Sequence, residues 1–154
     1  MARILIADRE PSSFLQLALH LSERGHVLEC VDSLAEAKHF AERILPQIVI
    51  CEYQLGDGTL APTLCDDLRR MAPATEFIVC TARPLEFVMP LCEAAEMRGH
   101  YFKKPCDPEM LTWVIEGVIC AASAPKRLAG ALKRRVKPAD VFSNDGSVSD
   151  LLLN

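Results

Sequence analysis

The sequence predicts an α/β domain, a doubly wound sheet of five parallel strands in the order 2-1-3-4-5. Three observations lead there. Short apolar runs alternate with amphipathic stretches from residue 3 to about residue 120, the pattern of βα units. The run Ile48-Val49-Ile50-Cys51 is apolar throughout, as a strand buried on both faces should be. Asp8, Glu52, Thr81 and Lys104 each end or follow such a run, which puts them at the binding edge of an open parallel sheet.

Ile4-Leu5-Ile6-Ala7 reads as the first strand. Pro11 opens a helix with Phe14, Leu15, Leu17, Ala18 and Leu21 at helical spacing, and Gly25 stops it. Val27 to Val31 is the second strand. Ser33 caps a second helix, with Glu36 completing a capping box, and that helix runs to about Ile44. The third strand spans 47–52, and Gly56-Asp57-Gly58 is a turn signal after it. A third helix follows from about Leu60 to Met71. Phe77 to Cys80 is the fourth strand, ending at Thr81. The segment 84–98 has a helical pattern, but Pro90 should shorten, kink or restart it. Tyr101-Phe102-Lys103 is the fifth strand. Asp107 caps a last helix that Pro108 opens. Right-handed crossovers make the sheet doubly wound. The crevice rule then points to the ends of strands one and three, Asp8 and Glu52.

Composition narrows the function. The chain has 154 residues, half of them hydrophobic, and a net charge of −4. That is one domain, or one domain with a tail, and it lacks the basic footprint of a nucleic-acid binder. No window reaches the ~20 apolar residues of a membrane span, and the short apolar stretch after Arg3 argues against a signal peptide. The seven cysteines include no CxxC pair. They read as reduced residues of a cytoplasmic protein rather than as a disulfide framework or a zinc site.

Four motifs then carry a family resemblance. Ile4-Leu5-Ile6-Ala7-Asp8-Arg9-Glu10, the stretch PQIVICEYQLGDG from Pro46 to Gly58, FIVCTA at 77–82 and YFKKP at 101–105 occur in order. Residues 3 to about 120 thereby resemble the receiver domain of two-component response regulators, the CheY-like, flavodoxin-like (βα)5 fold. The resemblance implies a phosphorelay signalling module in the cytoplasm, not an enzyme. In the family an aspartate takes a phosphoryl group from a histidine kinase, and two acids after strand one help to hold Mg²⁺. By the resemblance Glu52 is the phosphoacceptor equivalent, Asp8 and Glu10 belong to the acidic pocket, Thr81 and Lys104 are the phosphate contacts, and Tyr101 is the switch aromatic.

Two positions depart from the family pattern. Glu52 stands where the family has aspartate, and Arg9 replaces the second acid of the strand-one pair. The extra methylene of glutamate moves the carboxylate about 1.5 Å outward, and phosphoryl transfer depends on positioning. Mg²⁺ requires near-ideal octahedral oxygen ligands, whereas a guanidinium removes one and repels the ion. The expectation is a pseudo-receiver in which Arg9 takes the electrostatic place of the metal by pairing with Asp8 and Glu52, with no metal or other cofactor. In that cluster Thr81 stays away from Glu52 and Tyr101 is free to point outward. Lys104 is expected to pair with Glu52, which satisfies both charges without any phosphate. The alternatives are an Arg9 that faces solvent and a Tyr101 that is an ordinary half-buried aromatic.

Residues 123–154 form a separate tail. Its cations fall between Lys126 and Lys137, in PKRLAGALKRRVK, with Leu128, Leu132 and Val136 at four-residue spacing. It is either a basic amphipathic helix or a solvated linker. Two functional readings remain. One is a module that binds a signalling protein, or a second copy through helix five (Trp113) and the tail. The other is a phosphoacceptor that takes phosphate on Glu52 from a histidine kinase or a small phosphodonor. A nucleotide-binding enzyme on the same fold lacks support, since no GxGxxG is present.

Overall fold

The structure is a computed structural model and describes residues 1–124. Five strands form one parallel sheet in the order β2-β1-β3-β4-β5. They are β1 Arg3–Ala7, β2 Val27–Val31, β3 Ile48–Cys51, β4 Glu76–Thr81 and β5 His100–Lys103. The helices are α1 Leu15–Glu23, α2 Leu34–Arg43, α3 Ala61–Met71, α4 Leu85–Ala94 and α5 Pro108–Ser123. The doubly wound class and strand order expected from the sequence are the observed ones. The basic segment Lys126–Lys137 lies outside the described residues.

Period-two alternation divides the strands between two cores. Leu5, Ala7, Val49, Cys51, Phe77 and Val79 pack with Phe40 of α2, Leu64 and Leu68 of α3, and Val88 and Cys92 of α4. Ile4, Ile6, Ile48, Ile50, Ile78 and Cys80 pack with Leu17 and Leu21 of α1, and Leu111 and Ile115 of α5. The central strands β1, β3 and β4 are almost wholly buried, whereas edge strands β2 and β5 are mostly only half-buried.

The ends of the helices follow local chemistry. Gly25, at φ +81°, ends α1 in a Schellman motif: its N–H donates to Ser22 O at 2.9 Å, and that of His26 to Leu21 O at 3.1 Å. Ser33 Oγ accepts from Glu36 N at 3.3 Å, while the Glu36 carboxylate reaches back to Asp32 N at 3.1 Å. The Asp107 carboxylate accepts from Met110 N at 3.2 Å at the start of α5.

Two helices differ from expectation. Pro11 opens a 3-10 turn, Pro11–Phe14, and the α-helix begins only at Leu15. The fourth helix stops at Ala94, short of 98, and holds Pro90 inside it. Pro90 has no N–H for the Glu86 carbonyl. The helix ends where Glu96 turns to φ +58° and Met97 N bonds Cys92 O at 2.9 Å.

Candidate functional site

Parallel pairing aligns the strand ends and so assembles the site. Ala7 lies beside Cys51, Cys51 beside Val79, and Thr81 beside Lys103. The backbone ladder continues one residue further. Asp8 N donates to Val31 O at 3.0 Å, Glu52 N to Ala7 O at 2.9 Å, and Lys104 N to Thr81 O at 2.8 Å. Asp8, Glu52, Thr81 and Lys104 therefore meet at one edge, as the sequence predicts. A cavity of about 500 Å³ opens there, lined by Asp8, Arg9, Glu10, Glu52, Arg83 and Lys104 among others.

Lys104 organises the acids. Its Nζ lies 2.6 Å from Asp8 Oδ2 and 3.2 Å from Glu52 Oε2. Both acids are buried. The ammonium also rests 5.3 Å from the centre of the Phe14 ring, within cation–π range. Burial acts to lower the Lys104 pKa, but the bonds and charges of Asp8 and Glu52 outweigh it and raise it. The remaining carboxylate oxygens are engaged as well. Asp8 Oδ1 accepts from Glu10 N at 2.8 Å and Glu52 Oε1 from Tyr53 N at 2.7 Å. Glu52 Oε2 also accepts from Ala82 N at 3.4 Å.

The expected Arg9 cluster is not what forms. Arg9 is exposed and makes no ion pair among the described residues; the cation between the acids is Lys104. Asp8 is buried, whereas Arg9, just past the end of β1, stays exposed at the border of the same cavity. Glu10 is exposed and meets Asp8 through its backbone N–H rather than its carboxylate. Thr81 is fully buried, and its hydroxyl oxygen accepts from Arg83 N at 3.1 Å rather than contacting Glu52. Tyr101 is not free to point outward. It is half-buried against the α2–α4 core, and its hydroxyl donates to Met97 O at 3.1 Å. Burial, and then the neighbouring Cys92, push its phenol up to about 12.

Three features escape a reading of the sequence. Arg83 crosses the cavity rim, donating to Gln54 Oε1 at 2.7 Å and lying 5.4 Å from the Tyr53 ring centre. Lys103 Nζ donates to the Ala82 carbonyl, which anchors the segment after β4 to β5. Asp57 is more than a turn residue. Its carboxylate accepts from Leu34 N at 2.9 Å and Thr59 N at 3.0 Å, which hold its pKa below the usual value. The β3–α3 loop is thereby fastened to the start of α2.

Solved structures share this architecture. A CheY-like receiver domain from Methanospirillum hungatei JF-1 is 19% identical, with a TM-score of 0.69 over 79% of this chain and 96% of its own. A two-component response regulator from Clostridium difficile is also 19% identical, with a TM-score of 0.71 over 80% of this chain and 100% of its own. The chain has the receiver-domain fold. A response regulator from Burkholderia pseudomallei, 19% identical with a TM-score of 0.64, covers 73% of this chain and 65% of its own, and it carries a phosphorylated aspartic acid and a calcium ion. No family model matches the sequence, and no curated protein matches it. Among the described residues no helix is long and apolar enough to cross a membrane.

Proposed function

We propose that the chain is an atypical receiver module of a two-component phosphorelay, a pseudo-receiver that acts by protein–protein contact, without aspartate phosphorylation. The observation that carries this reading is the Asp8–Lys104–Glu52 bridge. Every carboxylate oxygen of the two acids already has a protein donor, and one donor is a cation. Mg²⁺ needs free oxygen ligands in an octahedral arrangement. A donor set closed by an ammonium, with Arg9 at its border, does not fit that ion. No phosphoryl-transfer step is therefore assigned through a metal, and the module is read as non-enzymatic and cytoplasmic.

The same bridge resembles the charge balance that a phosphoryl group would bring, with Glu52 supplying a fixed negative charge to Lys104. It supplies less than a phosphate would, which carries nearly two charges and three acceptor oxygens. Partners of this class are a histidine kinase or a downstream signalling protein, or a second copy. Trp113 on α5 is 76% exposed, with Met110 exposed beside it, an aromatic anchor of the kind that dominates interface energetics. Sedimentation of the wild type against Trp113→Ala tests the homodimer. Association that weakens on substitution supports it, and a monomer at high concentration that ignores the substitution removes it.

The second reading, phosphorylation on Glu52, rests on Lys104 already lying 3.2 Å from Glu52. Incubation with a small acyl phosphodonor and Mg²⁺, followed by intact mass, decides between the two. An unchanged mass is expected. A gain of one phosphoryl group mapped to Glu52 would overturn the pseudo-receiver reading.

A further inference from the structure

A second cavity, of about 380 Å³, adjoins the acid site on the α1–α5 face of the sheet. The two share a wall, since Ser13, Ala82 and Lys104 line both. The remaining lining is mostly apolar. Phe14, Leu17 and Leu111 reach it from the buried core of that face. The polar side chains in the lining are Ser13, Cys106 and Lys104. The Cys106 thiol is already engaged, with Sγ 3.5 Å from Lys103 O.

Small-molecule sites have this size and composition: roughly 300–1,000 Å³, apolar walls and a few placed polar groups. The charges select the ligand further. Lys104 is the one charged side chain of the lining, and it is held 2.6 Å from Asp8 and 3.2 Å from Glu52. One cation between two carboxylates leaves the cluster net negative, so an anionic ligand is repelled. An ammonium has three donors, and the two acids take two of them. A wholly apolar ligand would bury the third without a partner, which is costly. An uncharged molecule with one acceptor oxygen meets both conditions.

We propose that this cavity binds an uncharged, largely apolar small molecule whose carbonyl accepts the third hydrogen of Lys104. The apolar body rests on Phe14, Leu17 and Leu111, and the Ser13 hydroxyl is a second donor at the shared wall. Lys104 belongs to both cavities, so occupancy of one is felt in the other. A ligand that excludes water beside the ammonium strengthens its attraction to Asp8 and Glu52. Binding to the folded chain also stabilises it in proportion to occupancy. The site needs neither phosphate nor metal and stands apart from the reading of Glu52.

The test titrates the full chain with prodan, an uncharged naphthyl ketone whose emission moves to the blue in apolar surroundings. Saturable binding is expected, with blue-shifted emission and a thermal midpoint that rises with probe concentration. Amide NMR shifts should be largest at Phe14, Leu17, Leu111 and Lys104. Ser13→Trp places an indole in the cavity from an exposed position on the 3-10 turn, and it should weaken binding by about tenfold or more. Cys106→Phe fills the cavity from a half-buried position after β5 and carries the test if Ser13→Trp fails to fold. The anionic probe anilinonaphthalenesulfonate should bind more weakly than prodan. The proposal is overturned by an absence of saturable binding, by tighter binding of the sulfonate, or by affinity unchanged in both filled variants. Shifts centred on the exposed Leu15, Leu19 and Trp113, outside the cavity, would show surface adsorption and overturn it as well.

Discussion

The Lys104 ammonium lies 3.2 Å from Oε2 of the buried Glu52 carboxylate and reaches it from the far edge of the sheet. The same nitrogen holds Asp8 at 2.6 Å. Two acids that would repel each other in a buried setting are reconciled by one cation, so the arrangement depends on Lys104 more than on either acid.

Lys104→Met should therefore destabilise the fold. Breaking a buried pair by removing one partner costs about 3–5 kcal/mol. The Lys104 side chain remains 21% exposed, which reduces the expected loss to about 2 kcal/mol. Glu52→Gln leaves the Lys104–Asp8 pair and should cost less. Urea unfolding of both variants gives the order, and a larger loss for Glu52→Gln would refute the central role of Lys104.

Stability should also fall at high pH. The folded pKa of Lys104 is raised from 10.5 by its acids against the opposing effect of burial, and that of Tyr101 from 10.0 to about 12 by burial. In both cases the folded state binds the proton more tightly than the unfolded chain does. Their contribution is complete below the unfolded pKa values and is lost as pH rises through the folded ones. Urea midpoints should begin to fall near pH 9.0, where the unfolded chain loses thiol protons that Cys51, Cys65, Cys80 and Cys92 keep in the fold, and should fall further above about 10 as Lys104 and Tyr101 add to the loss. Tyr101→Phe and Lys104→Met should each flatten that decline; a decline unchanged in the double variant would assign it to other groups.

Gly99→Ala should destabilise by about 2 kcal/mol, the range of steric overpacking. A Cβ at Gly99 would sit 2.8 Å from the Phe77 carbonyl oxygen. That oxygen belongs to the backbone of β4 and cannot rotate away, so β5 would have to shift. A thermal midpoint equal to the wild type would show that the strands give way freely.

Glu96→Gly should stabilise. Glu96 occupies the left-handed position after α4, at φ +58°, where glycine is favoured because a Cβ costs about 1–2 kcal/mol. Part of that gain is offset by the freedom glycine adds to the unfolded chain, leaving about 0.5–1 kcal/mol. A variant no more stable than the wild type in urea would contradict this.

The frame of the fold and the members of the site were legible for one physical reason. Apolar runs fix the strands, parallel strands align their ends, and residues just past those ends share an edge. That argument brings Asp8, Glu52, Thr81 and Lys104 together without any knowledge of side-chain direction. It fails where direction decides. Asp8 and Arg9 are chain neighbours that border one cavity, yet Asp8 is buried and Arg9 exposed, so Arg9 does not follow Asp8 inward. Lys104 wins the acids because its Nζ reaches both from above the Phe14 ring. Asp57 and Arg83 act on residues distant in sequence, Leu34 and Gln54, and no local spacing announces such bonds. The early end of α4 depends on one left-handed residue that is not glycine, so the usual stop signal is missing.

Magnesium affinity should be recoverable by design. In the wild type the oxygens of Asp8 and Glu52 are engaged, and Lys104 stands among them. Amide NMR titration with Mg²⁺ should show no saturable shifts near Asp8 and Glu52 in the wild type. Arg9→Asp replaces a repelling cation at the cavity border with an oxygen donor. Glu52→Asp draws the carboxylate back by about one C–C bond, ~1.5 Å, which loosens its hold on Lys104 and opens room for an octahedral ion. Four carboxylates, Glu10 included, then line one cavity, and a divalent ion competes with a single ammonium for Asp8. The double variant should saturate in the millimolar range, with the largest shifts at Asp8 and Lys104. Saturation of the wild type at about 1 mM would mean that the ion displaces Lys104 unaided, and the closed-site reading would fall. If the double variant stays silent but binds once Lys104→Met is added, Lys104 is a barrier that the other two substitutions do not lift.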